Sequence, residues 1–409
     1  MIGVSGYTAE SWVTAGRCQI AGYNLMSASK YKLSCAVWEF TLACNLNCMH
    51  CGSSAGRKRE DELSTAEALK LCEDLKAAGC LGVALMGGEP FLREDIWAVA
   101  SKIKELGMEL SVITNGTILS DSIFYKLKAL KPRAVAVSLD ASVPELHDRI
   151  RGVPGAYVKA MTFIDRALAE GLPVSVITTV HKLNLKELPA IRDRLRGRGI
   201  AWQVQTAGAE GRRFSKDLLL DDEEFYSVGV FVEACRRAYP PEELPVIGAH
   251  DLGYNSGILK NVSLYEKWEG CQAGVSVLGI RSNGDVLGCL AINDERFVEG
   301  NVRERSVSEI WNAPGAFGYT RRFKEADAGG NCAGCRHLGK CKGGCNEMSL
   351  MKSGSLHNDP YCFYKLENRL FAEELNGPLK RFCFRLNGLA NSPGGALKKL
   401  GGIFSGKRT

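Results

Sequence analysis

Three cysteines stand within eight residues of this chain, at a spacing suited to a soft metal centre. Cys44, Cys48 and Cys51 follow an apolar stretch at residues 36–43. Thiolates are ligands of zinc and of iron–sulfur clusters. A structural zinc site takes four ligands, and this loop offers three; His50 lies between two of the cysteines, where its side chain would tend to point away. Three thiolates on a four-iron cluster leave one iron open to a substrate or cofactor, whereas a zinc site would need a distant fourth ligand.

A second group of seven cysteines lies between residues 271 and 362. Four of them, from 332 to 345, are spaced two, five and three residues apart, which alone would suit a zinc ribbon. Seven thiols exceed the needs of one tetrahedral site, so this part of the chain predicts two metal centres. The seven are Cys271, Cys289, Cys332, Cys335, Cys341, Cys345 and Cys362.

From residue 34 to about residue 240, hydrophobic patterning alternates between short strands and amphipathic helices. Ser64 and Glu67 are spaced as a capping box at the start of the first helix. The predicted strands cover residues 36–43, 81–86, 109–114, 134–140, 173–180 and 201–206. The predicted helices cover residues 64–79, 95–107, 120–130, 155–171, 185–199 and 221–239.

Six strands that are each followed by a helix predict an α/β fold with a parallel sheet and right-handed crossovers. We expect a partial (β/α)6 TIM-like barrel, three quarters of a (β/α)8 barrel. An open, doubly wound sheet of six strands is the alternative. In both, chemistry takes place at the carboxyl ends of the strands, where the first cysteine loop lies.

The length of 409 residues predicts one large and one small domain. The expected boundaries are an N-terminal cap at 1–33, the barrel at 34–240, a proline-containing connector at 241–270, a cysteine-rich domain at 271–365, and a C-terminal helix with a basic tail at 366–409.

Composition excludes several classes of protein. The chain is 45% hydrophobic and 24% charged, without the run of about 18 apolar residues that a membrane span needs, and no signal peptide is visible, so we expect a cytoplasmic protein. The net charge of +6 slightly favours an acidic partner and does not indicate nucleic acid. Sixteen cysteines in such a chain indicate metal or redox chemistry, although Cys72 and Cys80 fit core positions.

The motifs together resemble the radical S-adenosylmethionine (AdoMet) superfamily. The cysteine loop follows the first predicted strand, and a second motif, Gly87, Gly88, Glu89 and Pro90, follows the second strand. The resemblance implies that three thiolates hold a [4Fe–4S] cluster whose open iron is chelated by the methionine amino and carboxylate groups of AdoMet. It also implies that the second motif contacts that amino group, with glycines allowing close approach of the backbone.

Further residues fit the superfamily by their positions near strand ends. Asn115 ends the third predicted strand, and Ser138 lies near the end of the fourth. The resemblance implies that Ser138 and Arg151 hold the methionine carboxylate. Gln203 or Gln205, on the sixth strand, would reach the adenosine side.

The seven downstream cysteines match the spacing of the SPASM extension of this superfamily. That resemblance assigns four of them to a distal cluster and leaves three for a cluster nearer the active site, and it implies that both are [4Fe–4S] clusters. The distal set is Cys332, Cys335, Cys341 and Cys362, and the near set is Cys271, Cys289 and Cys345. Cys235 or Cys383 would supply the fourth near ligand, or one iron would stay open.

The resemblance implies an enzyme that cleaves AdoMet reductively and abstracts hydrogen from its substrate, fed by a flavodoxin- or ferredoxin-type reductant. Auxiliary clusters suit net oxidation or cross-linking. We expect first a peptide or protein substrate, as for maturases of ribosomally made peptides, with a separate recognition protein. Leu290, where sulfatase-maturing relatives place an aspartate, argues against that activity. The alternatives are oxidation of a small molecule or tetrapyrrole, as in alternative haem synthesis, and a non-catalytic iron–sulfur or zinc scaffold.

Overall fold

The computed structural model describes residues 31–252, 254–263 and 268–374. Most of the expected N-terminal cap, the basic tail and Cys383 therefore lie outside the described residues.

A single sheet of ten strands organises the described part of the chain. Its spatial order is β10-β9-β8-β1-β2-β3-β4-β5-β6-β7. The strands are β1 Cys35–Thr41, β2 Gly82–Gly87, β3 Glu109–Thr114, β4 Ala134–Ser138, β5 Val174–Val180, β6 Ala201–Thr206, β7 Val246–Gly248, β8 Val277–Ile280, β9 Asp285–Leu287 and β10 Gly300–Asn301.

Strands β1 to β6 are parallel and lie side by side in the order of the chain. In a doubly wound sheet, the spatial order of the parallel strands would instead reverse at a switch point. The strand order therefore confirms the partial barrel and excludes the alternative. Strand β7, which the sequence did not predict, extends the series by three residues beside β6.

Helices cover the outside of this sheet. Those of the barrel are α1 Thr65–Ala77, α2 Ile96–Glu105, α3 Asp121–Leu130, α4 Pro144–Arg151, α5 Ala156–Ala169, α6 Leu188–Leu195 and α7 Asp222–Ala238. The capping box at α1 is confirmed: the Ser64 backbone N–H donates to Glu67 Oε2 at 2.7 Å, and the Glu67 N–H donates back to the Ser64 hydroxyl. The predicted helix 185–199 is shorter, because it begins as a 3-10 turn at Leu185–Glu187 and ends at Leu195.

The core lies between the sheet and these helices. Trp38 and Phe40 of β1 are fully buried, and Phe124 packs on Phe163 with ring centroids 4.9 Å apart. Cys72 and Cys80 are also fully buried in this core. Both thiols therefore serve as small apolar side chains, as predicted.

The cysteine-rich segment begins by extending the barrel sheet. Strand β8 pairs in parallel with β1, with Cys35 opposite Val277, and β9 and β10 continue the sheet as antiparallel strands. Short helices follow: α8 Val307–Asn312, α9 Gly318–Arg321, α10 Leu338–Cys341, α11 Asn346–Ser353 and α12 Phe363–Glu374. Within the described ranges, no helix combines the length and the apolarity needed to cross a bilayer.

Candidate active site and auxiliary metal centres

The first cysteine loop, residues 44–51, lies on the carboxyl end of helix α4. The Asn47 N–H donates to the Arg151 carbonyl at 3.0 Å, and the Met49 N–H donates to the Ile150 carbonyl at 2.9 Å. Gly152, with φ +70°, ends the helix so close to the loop that a Cβ there would lie 2.4 Å from the Asn47 carbonyl oxygen. Helix α4 therefore fixes the loop against the barrel mouth.

The three thiols of this loop, of Cys44, Cys48 and Cys51, are electrostatic neighbours. Burial raises the pKa of Cys44 to about 11. Buried neighbouring thiols do not ionise readily by themselves, whereas a bound metal cation favours the thiolates. Three clustered soft donors fit a cluster with one open iron.

The Gly87–Gly88 turn is locked against the strand that leads into the cysteine loop. The Gly88 N–H donates to the Thr41 carbonyl and the Glu89 N–H donates to the Ala43 carbonyl, both at 2.8 Å. A Cβ at Gly87, whose φ is +133°, would lie 2.2 Å from the Thr41 oxygen, and one at Gly88 would lie 2.0 Å from the Ala43 oxygen. Only glycine permits this approach of two backbones.

We expect Gly88→Ala to weaken AdoMet binding by at least about tenfold, which corresponds to about 1.4 kcal/mol. The new methyl group meets the Ala43 backbone, so the turn or the cysteine loop must shift. Equilibrium binding to the anaerobic, cluster-loaded protein measures the effect. Gly56→Ala is the matched control, because a Cβ at Gly56 meets nothing within 4 Å. Equal affinities of the two variants would contradict the role of the turn.

The carboxylate of Glu89 lies fully buried beneath this turn. It accepts hydrogen bonds from the Thr114 hydroxyl at 2.9 Å and from the Asn115 N–H at 2.8 Å, and burial raises its pKa to about 7. The Asn115 amide in turn donates to Asn45 Oδ1 at 2.8 Å and lies 3.9 Å from Cys44 Sγ. The end of β3 is thus tied to the cysteine loop. Pro90 starts the short 3-10 turn that follows.

Arg151, the last residue of α4, is buried between the cysteine loop and an acid. Its guanidinium lies 2.8 Å from Asp140 Oδ2 and 3.7 Å from Cys48 Sγ. Although burial opposes it, Arg151 holds the pKa of Asp140 below its usual value. His50 Nε2 lies 3.5 Å from the same carboxylate, and burial lowers the pKa of His50 to about 3, so this imidazole is neutral.

The sequence reasoning missed Asp140. Its signal was present, because Asp140 stands two residues beyond the end of β4, at the edge where chemistry was expected. We expect Asp140→Asn to lower the free energy of unfolding by about 3 kcal/mol, since it leaves the buried Arg151 charge without its partner.

Urea denaturation of the apoprotein, followed by tryptophan fluorescence, measures that loss. Asp193→Asn is the matched control, because Asp193 pairs with Arg192 at the exposed surface, where a pair contributes at most about 1 kcal/mol. Indistinguishable midpoints for the two variants would contradict the importance of the buried pair.

The three near thiols, of Cys271, Cys289 and Cys345, converge at the start of helix α11. Cys345 is the residue that precedes the helix, and Cys271 Sγ accepts the backbone N–H of Asn346. Cys289 interacts electrostatically with Cys271. Gly288, the residue before Cys289, lies so close to residue 273 that a Cβ at Gly288 would be 3.0 Å from the Ala273 carbonyl carbon. Burial raises the pKa of all three thiols.

The other four downstream thiols form a separate group, composed of Cys332, Cys335, Cys341 and Cys362. Cys332 interacts electrostatically with Cys335, and Cys341 does so with Cys362 and Cys332. Burial raises the pKa of Cys341 and that of Cys362 to about 12 each. These are the four thiols that the SPASM resemblance assigns to the distal cluster, and that assignment stays a prediction.

Buried Asp359 joins these two groups. Its carboxylate accepts the Tyr254 hydroxyl at 2.7 Å, the Tyr361 N–H at 2.9 Å and the Cys345 N–H at 3.2 Å. On the side of the other group, the Asp359 backbone N–H donates to Cys332 Sγ, and the Asp359 carboxylate is a neighbouring negative charge of that thiol. Burial raises the pKa of Asp359 to about 7.

Residues 38–195 match the radical SAM superfamily, and residues 271–336 match the SPASM iron–sulfur cluster-binding domain. The chain is 31% identical over 369 residues to Fe-coproporphyrin III synthase from Methanosarcina barkeri, which covers 84% of this chain and 91% of that protein. The chain belongs to the radical SAM superfamily, with a SPASM domain. Its cofactors are AdoMet and a [4Fe–4S] cluster, with iron–sulfur binding in the SPASM domain.

Other proteins of the superfamily also resemble this chain, in sequence or in fold. It is 28% identical over 357 residues to mycofactocin maturase MftC from Mycobacterium ulcerans, covering 85% of this chain and 92% of that one. Among solved structures, Streptococcus suis SuiB bound to the precursor peptide SuiA gives a TM-score of 0.67 at 20% identity, over 81% of this chain and 76% of SuiB. The last likeness shows the shared fold.

The remaining AdoMet-site candidates of this radical SAM chain lie at different depths in the barrel. Ser138 ends β4 and is half-buried. Gln203, in the middle of β6, lines a cavity of about 350 Å³ inside the barrel, with small side chains such as Ala136 around it. Gln205 lies nearer the carboxyl end of β6, where its amide donates to the Thr179 hydroxyl at 3.0 Å. Of the two glutamines, Gln205 is therefore closer to the edge that holds the cysteine loop.

Proposed function

We propose that this radical SAM enzyme oxidises an organic substrate in two steps, by loss of a hydrogen atom and then of an electron to the near auxiliary centre. One observation supports this proposal most strongly: a single loop, residues 207–221 between β6 and α7, contacts both the first cysteine loop and α11, the helix that follows Cys345. We call it the mouth loop.

One part of the mouth loop packs on the first cysteine loop. Arg213 Nε donates to the Cys48 carbonyl at 3.0 Å, and a Cβ at Gly211 would lie 2.2 Å from the Cys51 carbonyl oxygen. The beginning of the same loop lies beside α11, where a Cβ at Gly208 would be 3.8 Å from Glu347 Oε1. A substrate held between the first cysteine loop and the mouth loop would therefore lie on the side of the barrel that carries α11.

The residues of the first site would share the work of binding and orientation. Cys44, Cys48 and Cys51 would hold the catalytic cluster, Arg151 would face the AdoMet carboxylate, and the buried Glu89 network would keep the Gly87–Gly88 turn in contact with the ligand. With AdoMet and the cluster bound there, these residues would hold the source of the hydrogen-abstracting radical chemistry against the substrate. The mouth loop would exclude water from this space.

For the substrate class we propose an anionic molecule, and first the carboxylate side chain of a tetrapyrrole. The mouth loop carries two cationic side chains, Arg212 and Arg213, that are held by backbone carbonyl oxygens of residues 48, 54 and 55. Guanidinium groups recognise carboxylates in fork geometry. The likeness to Fe-coproporphyrin III synthase supports the same class.

The proposed reaction is balanced for a propionate side chain. Loss of one hydrogen atom to the AdoMet-derived radical and of one electron to the auxiliary centre would convert R–CH2–CH2–COO⁻ to R–CH=CH2 and CO2. Because the substrate radical must lose this electron, an oxidised auxiliary centre beside the substrate would serve as the electron acceptor.

Maturation of a peptide is the second candidate, because the 28% identity to mycofactocin maturase MftC extends over 85% of this chain. In that case the mouth loop would receive a peptide segment, and the same centres would accept an electron from a residue radical.

The test is an anaerobic assay of the reconstituted holoenzyme with AdoMet and dithionite. We expect 5′-deoxyadenosine to form faster when iron coproporphyrin or a sirohaem-type tetrapyrrole is added, together with a product lighter by the mass of the lost carboxylate fragment. Stimulation by a cysteine-, glycine- or aromatic-rich precursor peptide and not by tetrapyrroles would favour the second candidate. Absence of 5′-deoxyadenosine with every substrate, in protein whose cluster spectrum does not respond to AdoMet, would overturn the radical mechanism.

A further inference from the structure

The near thiol group is one ligand short of four cysteines. Cys235, one of the two thiols considered from the sequence, lies on α7 with Arg192 and Asp193 as its charged neighbours, and not with the near thiols. The other, Cys383, lies outside the described residues. Among the described residues, the candidates for the fourth position are other side chains that lie beside Cys271, Cys289 and Cys345.

Glu347 is a charged neighbour of all three thiols. It is the second residue of α11, two residues after Cys345 and next to the N–H that Cys271 Sγ accepts. Its carboxylate is the strongest charged neighbour of Cys289, and it also acts on the other two thiols.

The Oε2 atom of Glu347 is buried and has no hydrogen-bond partner in the part of the chain that the structure describes. A buried carboxylate oxygen without a donor is costly unless it binds a cation. Beside Cys345 and the other near thiols, such a cation would be an iron of the cluster that those thiols hold.

His250 completes the arrangement. Its Nδ1 lies 3.6 Å from Cys345 Sγ and its Nε2 lies 4.0 Å from Glu347 Oε2, so one ligand atom from each of these three residues falls within 4.8 Å of the others. The His250 side chain is 46% exposed, whereas that of Glu347 is 15% exposed. The imidazole is thus placed to donate a hydrogen bond to a cysteine ligand, and the carboxylate is placed inside the site.

We propose that Glu347 is the fourth protein ligand of the near SPASM cluster, through Oε2, with His250 as a hydrogen-bond partner of Cys345. The proposal rests on the proposed function only in that the near thiols hold a four-iron cluster. A carboxylate is a harder ligand than a thiolate and suits soft iron–sulfur centres less well. One iron of the near cluster is therefore distinct from the other three and exchangeable, on the side that faces the mouth loop.

The experiment uses the full chain with Cys44, Cys48 and Cys51 all replaced by alanine, so that only the auxiliary clusters contribute to the spectra. Iron content, EPR and Mössbauer spectra are recorded after anaerobic reconstitution, before and after mild oxidation. We expect Glu347→Gln to lose roughly one of the four near irons on oxidation and to give a three-iron EPR signal. We expect Glu347→Cys to retain all four irons with altered g-values.

Glu210→Gln is the matched control, since it removes a neighbouring negative charge from the mouth loop without removing Oε2 from the thiols. It should keep the parental spectrum. His250→Gln should retain the iron and shift only the reduction potential, because ligand hydrogen bonds tune potentials.

Parental spectra in both Glu347 variants would overturn the proposal, and iron loss in His250→Gln alone would assign the ligand to His250 instead. Cys289→Ala in the same triple-alanine background tests separately whether the near thiols hold a cluster at all. It should abolish the near-cluster signal, and a persistent signal would show that the near thiols do not hold the cluster.

Discussion

Replacement of Cys48 by alanine should abolish AdoMet cleavage, with formation of 5′-deoxyadenosine reduced by at least about 10³-fold. Cys48 is buried in the first cysteine loop beside Arg151, and two thiols alone would hold a four-iron cluster with two open corners. The auxiliary iron should remain, so the reconstituted variant should lose roughly a third of the iron if three four-iron clusters are present. Chromatographic quantification of 5′-deoxyadenosine, with iron and sulfide analysis, measures both effects.

Cys72→Ala is the control for this experiment. Cys72 is also a buried thiol, but it lies on the buried face of α1 and packs in the apolar core, so its loss should cost about 1 kcal/mol of stability and leave cleavage intact. Cleavage retained in the Cys48 variant would show that the loop does not hold the catalytic cluster.

Replacement of Cys341 by alanine should remove the distal cluster and expose residues 329–362 to proteolysis. Few apolar side chains in this segment are buried, namely Leu338, Cys341, Cys345, Met348 and Tyr361 among the described residues. Where metal replaces a hydrophobic core, the binding free energy of the metal becomes folding free energy. We therefore expect loss of roughly a third of the iron, together with low solubility.

Limited proteolysis followed by mass spectrometry locates the loosened segment. Cys235→Ala is the matched control, since Cys235 is a buried thiol of α7 outside the three cysteine groups. Unchanged iron content in the Cys341 variant would contradict the distal site, whatever its solubility.

The barrel could be predicted from the sequence because its signal is local. Each strand is a short apolar run and each helix repeats its apolar positions every three to four residues, so length and period suffice. The predicted first strand, residues 36–43, differs from the observed Cys35–Thr41 because pairing with β2 breaks register between Glu39 and Thr41. That break occurs where the chain turns toward the cysteine loop.

Strands β8 to β10 could not be predicted, because two to four residues carry no measurable period and their pairing depends on distant partners. The same reason hides Glu347 from sequence reasoning. It is an ordinary acid in the sequence, and the role proposed for it depends on Cys271 and Cys289, far along the chain. The cysteines were found because their spacing itself is unusual.

The pairing of β8 with β1 has a consequence for the order in which the protein is made. Strand β1 leaves the ribosome about 240 residues before its second partner, Val277–Ile280, so one of its edges stays unpaired while the rest of the barrel is synthesised. An unpaired edge of apolar strand invites association with other chains. Nascent chains stalled before residue 277 should therefore aggregate or recruit chaperones, and iron delivered during that interval would meet an incomplete barrel.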